Sequence, residues 1–199
     1  MADPEAIKKF KEDYPHLSNL SLLNMMLRLC HVPRWSVIPM GRQQTVAEHS
    51  FRVAAIAVAL GDRICSGNGY DGHISMLYEA AWASLTHDCE EAVGGDIPSP
   101  YRKLMGVDHG SLVRELCPNL PPAPSDKYVA WLVKMADMIE ATTYLRMWGR
   151  SVDGVDIREV RAANISNHLG PRLDTCPFEN RQRVEGIVFR LIEEICVQE

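Results

Sequence analysis

The sequence predicts an all-α protein, and three observations lead there. Apolar residues recur at helical spacing through several long segments. Helix-start residues stand in front of three of those segments, and no segment shows the period-two alternation of a half-buried strand.

Pro4 to Asp13 reads as a short amphipathic helix with Ile7 and Phe10 on one side. Ser18 is the expected N-cap of a second helix to about Cys30, in which Leu22, Leu23, Met26, Leu27 and Cys30 fall at helical spacing. Pro33 ends it, and Val32 to Gln44 is a loop. Thr45-Val46-Ala47-Glu48 fits a capping box, opening a helix to about Ile64. His49, Val53, Ile56 and Leu60 share one face of that helix, which places His49 on the core side. Gly67 to Gly72 is a glycine-rich turn, and a third long helix runs from about His73 to the pair His87-Asp88. Gly94 to Pro100, with two Gly and two Pro, is irregular. Tyr101 to Met105 forms one turn of helix, Gly106 to Pro124 is weakly periodic, and its proline-rich end is loop. Ser125 or Asp126 caps a helix to about Trp148, with a core face of Ala130, Val133, Asp137, Ala141 and Tyr144. Arg158 to Leu169 is helical. Pro177 opens a last helix to about Gln198, burying Val184, Ile187, Val188, Leu191, Ile192 and Ile195.

At 199 residues, with no repeat or long linker, the chain reads as one domain spanning 1–199. A net charge of -5 argues against a general nucleic-acid binder and against attraction to anionic membranes. Six scattered cysteines without a CxxC pair read as reduced, buried thiols, and the N-terminus lacks the basic and apolar regions of a signal peptide. The expectation is a cytoplasmic protein.

The chemistry centres on His87-Asp88-Cys89-Glu90-Glu91. Imidazole and carboxylate side by side offer nitrogen and anionic oxygen to one divalent cation, and Glu91, a helical turn further on, is placed to handle protons. A His-Asp pair at a helix end also serves as a plain cap. Asp137, however, sits within an apolar stripe, where an unpartnered carboxylate costs several kcal/mol; it needs a cation, whether Lys134, Arg146 or a metal. His49, His87, Asp88 and Asp137 lie on three helices, and a helical bundle can gather them into a four-ligand cage in its core.

This order, H…HD…D, resembles the HD-domain metal-dependent phosphohydrolases, and more narrowly the YfbR-like 5'-deoxynucleotidases. The matching pieces are Arg34-Trp35, Val46 to Ser50, His87 to Glu91, Gly95 to Pro100 and Leu132 to Asp137. In size and pocket residues the chain is similar to the small phage dATP triphosphohydrolases of the DatZ type, from viruses that replace adenine with 2-aminoadenine. The resemblance implies that His49, His87, Asp88 and Asp137 hold a metal, which on ligand chemistry is Mn, Co, Zn, Fe or, less well, Mg. It implies Glu91 as general acid/base and Asp96 as the residue that orients substrate near the sugar. Arg34 and Lys134 bind phosphate oxygens, and Trp35 offers a flat face beside sugar or base, although it also reads as an ordinary core tryptophan. Val37 and Pro98 correspond to an apolar pocket wall. Arg102 and Lys103 read as a solvated basic pair that could also meet the outer phosphates.

The implied reaction is hydrolysis of dATP to deoxyadenosine and triphosphate by a homo-oligomer in the host cytoplasm. The substrate is a small deoxynucleotide, with no nucleic-acid or membrane partner. The alternatives are a 5'-deoxynucleotidase acting on monophosphates and a non-catalytic HD-fold nucleotide-binding module. No HExxH or GxSxG motif suggests a peptidase or esterase.

Overall fold

In the computed structural model, the described residues are 4–18, 20–66, 73–98, 101, 104, 109–152 and 154–197. They form helices joined by loops, and three isolated backbone bridges, Pro33 with Thr45, Met40 with Gly149 and Val152 with Val155, take the place of any sheet. The helices are α1 (Pro4–Asp13), α2 (Leu22–Arg28), α3 (Val46–Cys65), α4 (His73–Thr86), the single turn α5 (Glu91–Gly94), α6 (His109–Leu116), α7 (Lys127–Trp148), α8 (Ile157–Asn164), α9 (Gly170–Asp174) and α10 (Arg181–Val197).

The two longest helices begin where their caps predict. The Thr45 hydroxyl accepts from the Glu48 amide at the start of α3, and the Asp126 carboxylate accepts from the amides of Tyr128 and Val129 at the start of α7. Only one half of the expected capping box is made. The Glu48 carboxylate turns outward to accept from Arg42 at 2.7 Å.

α3, α4 and α7 pack against one another, and α10 lies across α3 and α7. Val53, Ala57 and Leu60 of α3 meet Leu132, Met135 and Ile139 of α7, with Val184, Val188 and Leu191 of α10 closing the cluster. A second apolar cluster, Leu20, Met25, Leu29, Val46, Cys89, Val113, Leu116 and Cys117, joins the N-terminal segment to α3 and α6. The His49 and Glu140 side chains belong to the same helices as these cores, α3 and α7, and are fully buried.

Several boundaries differ from the sequence expectation. The N-cap of α2 is Ser21, whose hydroxyl accepts from the Asn24 amide, while Ser18 turns its own hydroxyl back to the Pro15 carbonyl. α2 buries Met25, and the 3-10 turn after it buries Leu29, leaving Leu23 and Leu27 exposed; spacing alone does not say which of two apolar faces turns inward. α10 starts at Arg181, since Pro177 to Asn180 are irregular and Asn180 has a left-handed φ of 57°. Its buried side is the predicted one. Arg158 to Leu169 is helical, but its last five residues form a π turn running into α9. α6 lies in the stretch that read as weakly periodic. The glycine turn 67–72, the pair Arg102 and Lys103, Ser99, Pro100 and Met105 lie outside the described residues.

Candidate metal centre

Three elements converge. α3 contributes His49 from its first turn, the turn after α4 contributes His87 and Asp88, and α7 contributes Asp137. One ligand atom from each of His49, His87 and Asp137 lies within 4.8 Å of the other two. Asp88 reaches both rings, its Oδ2 standing 3.4 Å from His49 Nε2 and 3.2 Å from His87 Nε2. Asp137 Oδ1 is 3.4 Å from His49 Nε2, and its Oδ2 accepts from Lys134 Nζ at 2.6 Å. The Lys134 partner named from the sequence is therefore present, whereas Arg146 pairs instead with Glu193.

Each imidazole is anchored through its other nitrogen. His49 Nδ1 lies 2.8 Å from Glu140 Oε2, and His87 Nδ1 lies 2.7 Å from the Ser84 carbonyl oxygen. Carboxylate and carbonyl only accept, so the protons sit on Nδ1 and a neutral ring presents its Nε2 lone pair to the cluster. Both Nε2 atoms are buried without a hydrogen-bond partner. Two nitrogen lone pairs beside two carboxylates call for positive charge, either two added protons or one divalent cation. Histidines held from behind by a carboxylate and a carbonyl are the usual arrangement of metal-ligating imidazoles, so the residues present fit a bound ion.

Without an ion, the protons are drawn in. Burial and the Arg34 charge pull the His49 pKa down, but Asp137, Asp88 and Glu140 outweigh them and hold it well above the ordinary histidine value. Burial likewise works against His87, and Asp88 and Asp137 more than offset it. In turn, burial disfavours the charged carboxylates, yet His87 and His49 hold Asp88 well below the usual range, and His49 and Lys134 do the same for Asp137.

Around the cluster, the loop from Val32 to Thr45 folds back on itself, with the Arg34 amide donating to the Gln44 carbonyl and the Val46 amide to the Val32 carbonyl. This brings Arg34 beside four carboxylates. Burial opposes its charge, but Asp88, Glu140, Asp137 and Asp96 together push its pKa up. Arg34 Nε is 4.0 Å from Asp96 Oδ2, Nη1 is 3.7 Å from Glu140 Oε2, and Nη1 is buried without a hydrogen bond. Trp35 takes a left-handed φ of 62°, donates its indole N–H to Gln44 Oε1 at 2.8 Å and stacks on Tyr144.

Glu91 opens α5 and is buried, its amide donating to the Asp88 carbonyl at 3.0 Å. Asp96 follows Gly95, whose φ of 76° turns the chain in a way few other residues tolerate. Pro98 is half-buried, while Val37 is 68% exposed at the tip of its loop. Lys134 is half-exposed at the rim.

The sequence reading passed over Glu140, Gln44 and Arg52. Glu140 is fully buried and accepts from Gln44 Nε2 at 2.7 Å and Arg52 Nε at 3.0 Å besides its bond to His49. The available signal was spacing. Glu140 follows Asp137 by three residues and Arg52 follows His49 by three, so each shares a helix face with a candidate ligand.

Residues 21–105 match the family model described as 5'-deoxynucleotidase YfbR-like. A dATP triphosphohydrolase of Salmonella phage PMBT28 is 29% identical over 133 residues, which is 62% of this chain and 66% of that protein. The 5'-deoxynucleotidase yfbR of Photorhabdus temperata is 34% identical over 92 residues, 45% of this chain and 39% of that one. The chain thus spans just under two thirds of the first relative's length and about two fifths of the second's. Among solved structures, the cyanophage S-2L HD phosphohydrolase DatZ, bound to dA and one catalytic Zn2+ ion, shares the fold with a TM-score of 0.67 at 21% identity; the match covers 88% of this chain and 96% of that one. No helix among the described residues is long and apolar enough to cross a membrane. With the all-α fold and the His/Asp cluster already described, the chain is similar over residues 21–105 to the YfbR-like 5'-deoxynucleotidases and shares the fold of the DatZ HD phosphohydrolase.

Proposed function

We propose that this protein is a metal-dependent dATP triphosphohydrolase that releases deoxyadenosine and inorganic triphosphate. The observation that carries the reading is the convergence of two unpartnered imidazole Nε2 atoms with the carboxylates of Asp88 and Asp137. The likeness to a phage protein named for that activity supports the choice of substrate. In a phage that uses 2-aminoadenine, this reaction depletes dATP in favour of the 2-amino nucleotide in the host cytoplasm.

His49, His87, Asp88 and Asp137 hold the ion. A divalent cation bound there supplies Lewis acidity toward the α-phosphate and eases deprotonation of water. Arg34, one of whose buried nitrogens makes no hydrogen bond, takes a phosphate oxygen, and Lys134 at the rim takes another. Glu91 manages the proton of the attacking water and of the departing 5' oxygen. Asp96, held near Arg34, orients the sugar, and the Trp35 face lies beside sugar or base. Val37 and Pro98 form the apolar wall facing the base. An added exocyclic amine left unpaired against that wall costs about 1–3 kcal/mol.

The second reading is a 5'-deoxynucleotidase, favoured by the 34% identity to the Photorhabdus protein. Purified protein incubated with each dNTP and each dNMP, with Mn, Co, Zn, Fe and Mg in turn, separates the readings by chromatography of the products. Triphosphate and deoxyadenosine from dATP support the proposal. Phosphate released alike from dAMP, dGMP and dCMP, with no triphosphate, hands it to the nucleotidase. Intact dATP under every metal assigns the chain to a binding module.

A further inference from the structure

Glu140 is the hub of the buried polar network, although no role attaches to it in the proposed reaction. Its Oε2 faces His49 Nδ1 at 2.8 Å; its Oε1 accepts from Gln44 Nε2 at 2.7 Å and Arg52 Nε at 3.0 Å. Arg52 on one side and Arg34, at 3.7 Å, on the other keep this carboxylate charged inside the core.

Gln44 has one permitted orientation. The Trp35 indole N–H only donates, so Gln44 Oε1 must accept it; the Glu140 carboxylate only accepts, so Gln44 Nε2 must donate. A flip of the amide breaks both bonds. Gln44 and Glu140 are both 0% exposed, so water does not stand in for either. At the far end, Trp35 holds a left-handed backbone that bulky residues rarely adopt and that persists only where its surroundings impose it. The Gln44 bond and the parallel stack on Tyr144, 6.3 Å between centroids and 3° between planes, hold its side chain, and the Ile38 amide donates to its carbonyl at 3.1 Å.

From this continuous line we infer that Gln44 and Glu140 are positioning residues that couple the Trp35 loop to the ligand His49. Glu140 sets the tautomer and angle of the His49 ring; Gln44 sets the indole, and the two share one hydrogen bond. A change in the Trp35 loop is therefore felt at His49 Nε2, and occupation of the centre steadies the loop, because coupling between two sites is reciprocal. The inference rests on the metal reading proposed above.

The test compares metal-stripped parent, Gln44→Met and Trp35→Phe. Trp35→Phe keeps an aromatic ring for the Tyr144 stack and removes the indole donor, so it reports even if the buried Gln44→Met change prevents folding. Calorimetric titration with Co2+ and the visible absorption of the Co2+-loaded protein are the readouts. Gln44→Met should bind on the order of 10–100-fold more weakly, the range seen when outer partners of metal ligands are removed, and shift the Co2+ bands. Trp35→Phe should move both in the same direction by less. Parent-like affinity and spectrum in folded variants overturn the coupling. No Co2+ binding by the parent overturns the metal reading itself.

Discussion

His49 Nδ1 and Glu140 Oε2 stand 2.8 Å apart, with both side chains fully buried. The two residues are one turn into α3 and midway along α7, so the contact ties the longest helices together at the level of the cluster. It also decides which ring nitrogen of His49 faces Asp88 and Asp137. A structural bond between helices and the orientation of a ligand are thus the same interaction.

The pH dependence follows from the opposed shifts of the imidazoles and carboxylates. Burial disfavours charge on His49 and His87, but the surrounding carboxylates raise both pKa values. In metal-free protein, the stability they contribute is fully present below about pH 6.5, the unfolded value, and is lost as pH rises through their folded values. Asp88 and Asp137, lowered despite burial, contribute stability present above about pH 4 and lost as pH falls through their folded values. Metal binding must displace the imidazole protons, so affinity rises with pH as the metal-free protein weakens. Melting curves of stripped protein with and without Zn2+ should show the metal-induced rise in Tm growing with pH. A rise independent of pH would mean that the imidazoles are not the ligands.

Asp137→Ala should bind no stoichiometric metal and lose activity. It also removes the partner of Lys134 Nζ and a carboxylate 3.4 Å from His49 Nε2, so the apo protein should be less stable as well. Elemental analysis of the purified variant reads the first effect directly, and full occupancy would remove Asp137 from the ligand set.

Glu91→Gln should retain metal and nucleotide binding while the rate falls on the order of 10²–10⁴-fold. Its backbone is fixed by the bond to the Asp88 carbonyl, so the substitution leaves the chain path in place. Steady-state kinetics alongside metal analysis check this, and turnover at the parental rate would pass the proton-transfer role to another group, with Asp96 the next candidate.

Gly61 tests the frame independently of the site. A Cβ there would lie 2.5 Å from Leu77 Cδ2 on α4 and 3.1 Å from Leu132 Cδ1 on α7, because α3 approaches both helices at this point. Gly61→Val should cost about 1–3 kcal/mol in denaturant unfolding through overpacking. Three turns of α3 separate Gly61 from His49, so metal affinity of the folded fraction should match the parent.

What was legible in the sequence was whatever a single helix encodes. The Thr45 and Asp126 caps, the buried side of α10 and the core-facing position of His49 follow from local chemistry and 3.6-residue spacing. His87-Asp88 drew notice as an imidazole-carboxylate pair at the end of an apolar run, and Asp137 as a carboxylate within an apolar stripe. The choice between the two apolar faces of α2 was not legible, since Leu23 and Leu27 lose to Met25 and Leu29 only when α6 and the segment around Leu20 pack against them. Glu140 escaped because its four partners, Arg34, Gln44, His49 and Arg52, are roughly ninety or more positions away, and only the crossing of α3 with α7 brings them together. The left-handed Trp35 was not legible either, since a bulky residue gives no sign of a positive φ and its side-chain partners Gln44 and Tyr144 lie outside the turn.

The most direct measurement is product analysis of dATP with chelator-stripped protein, before and after one equivalent of Zn2+, Co2+ or Mn2+ is restored. The account predicts no turnover when stripped and, with metal, deoxyadenosine and inorganic triphosphate in equal amounts. Hydrolysis at the same rate with and without metal, in a preparation shown by elemental analysis to be metal-free, would contradict it.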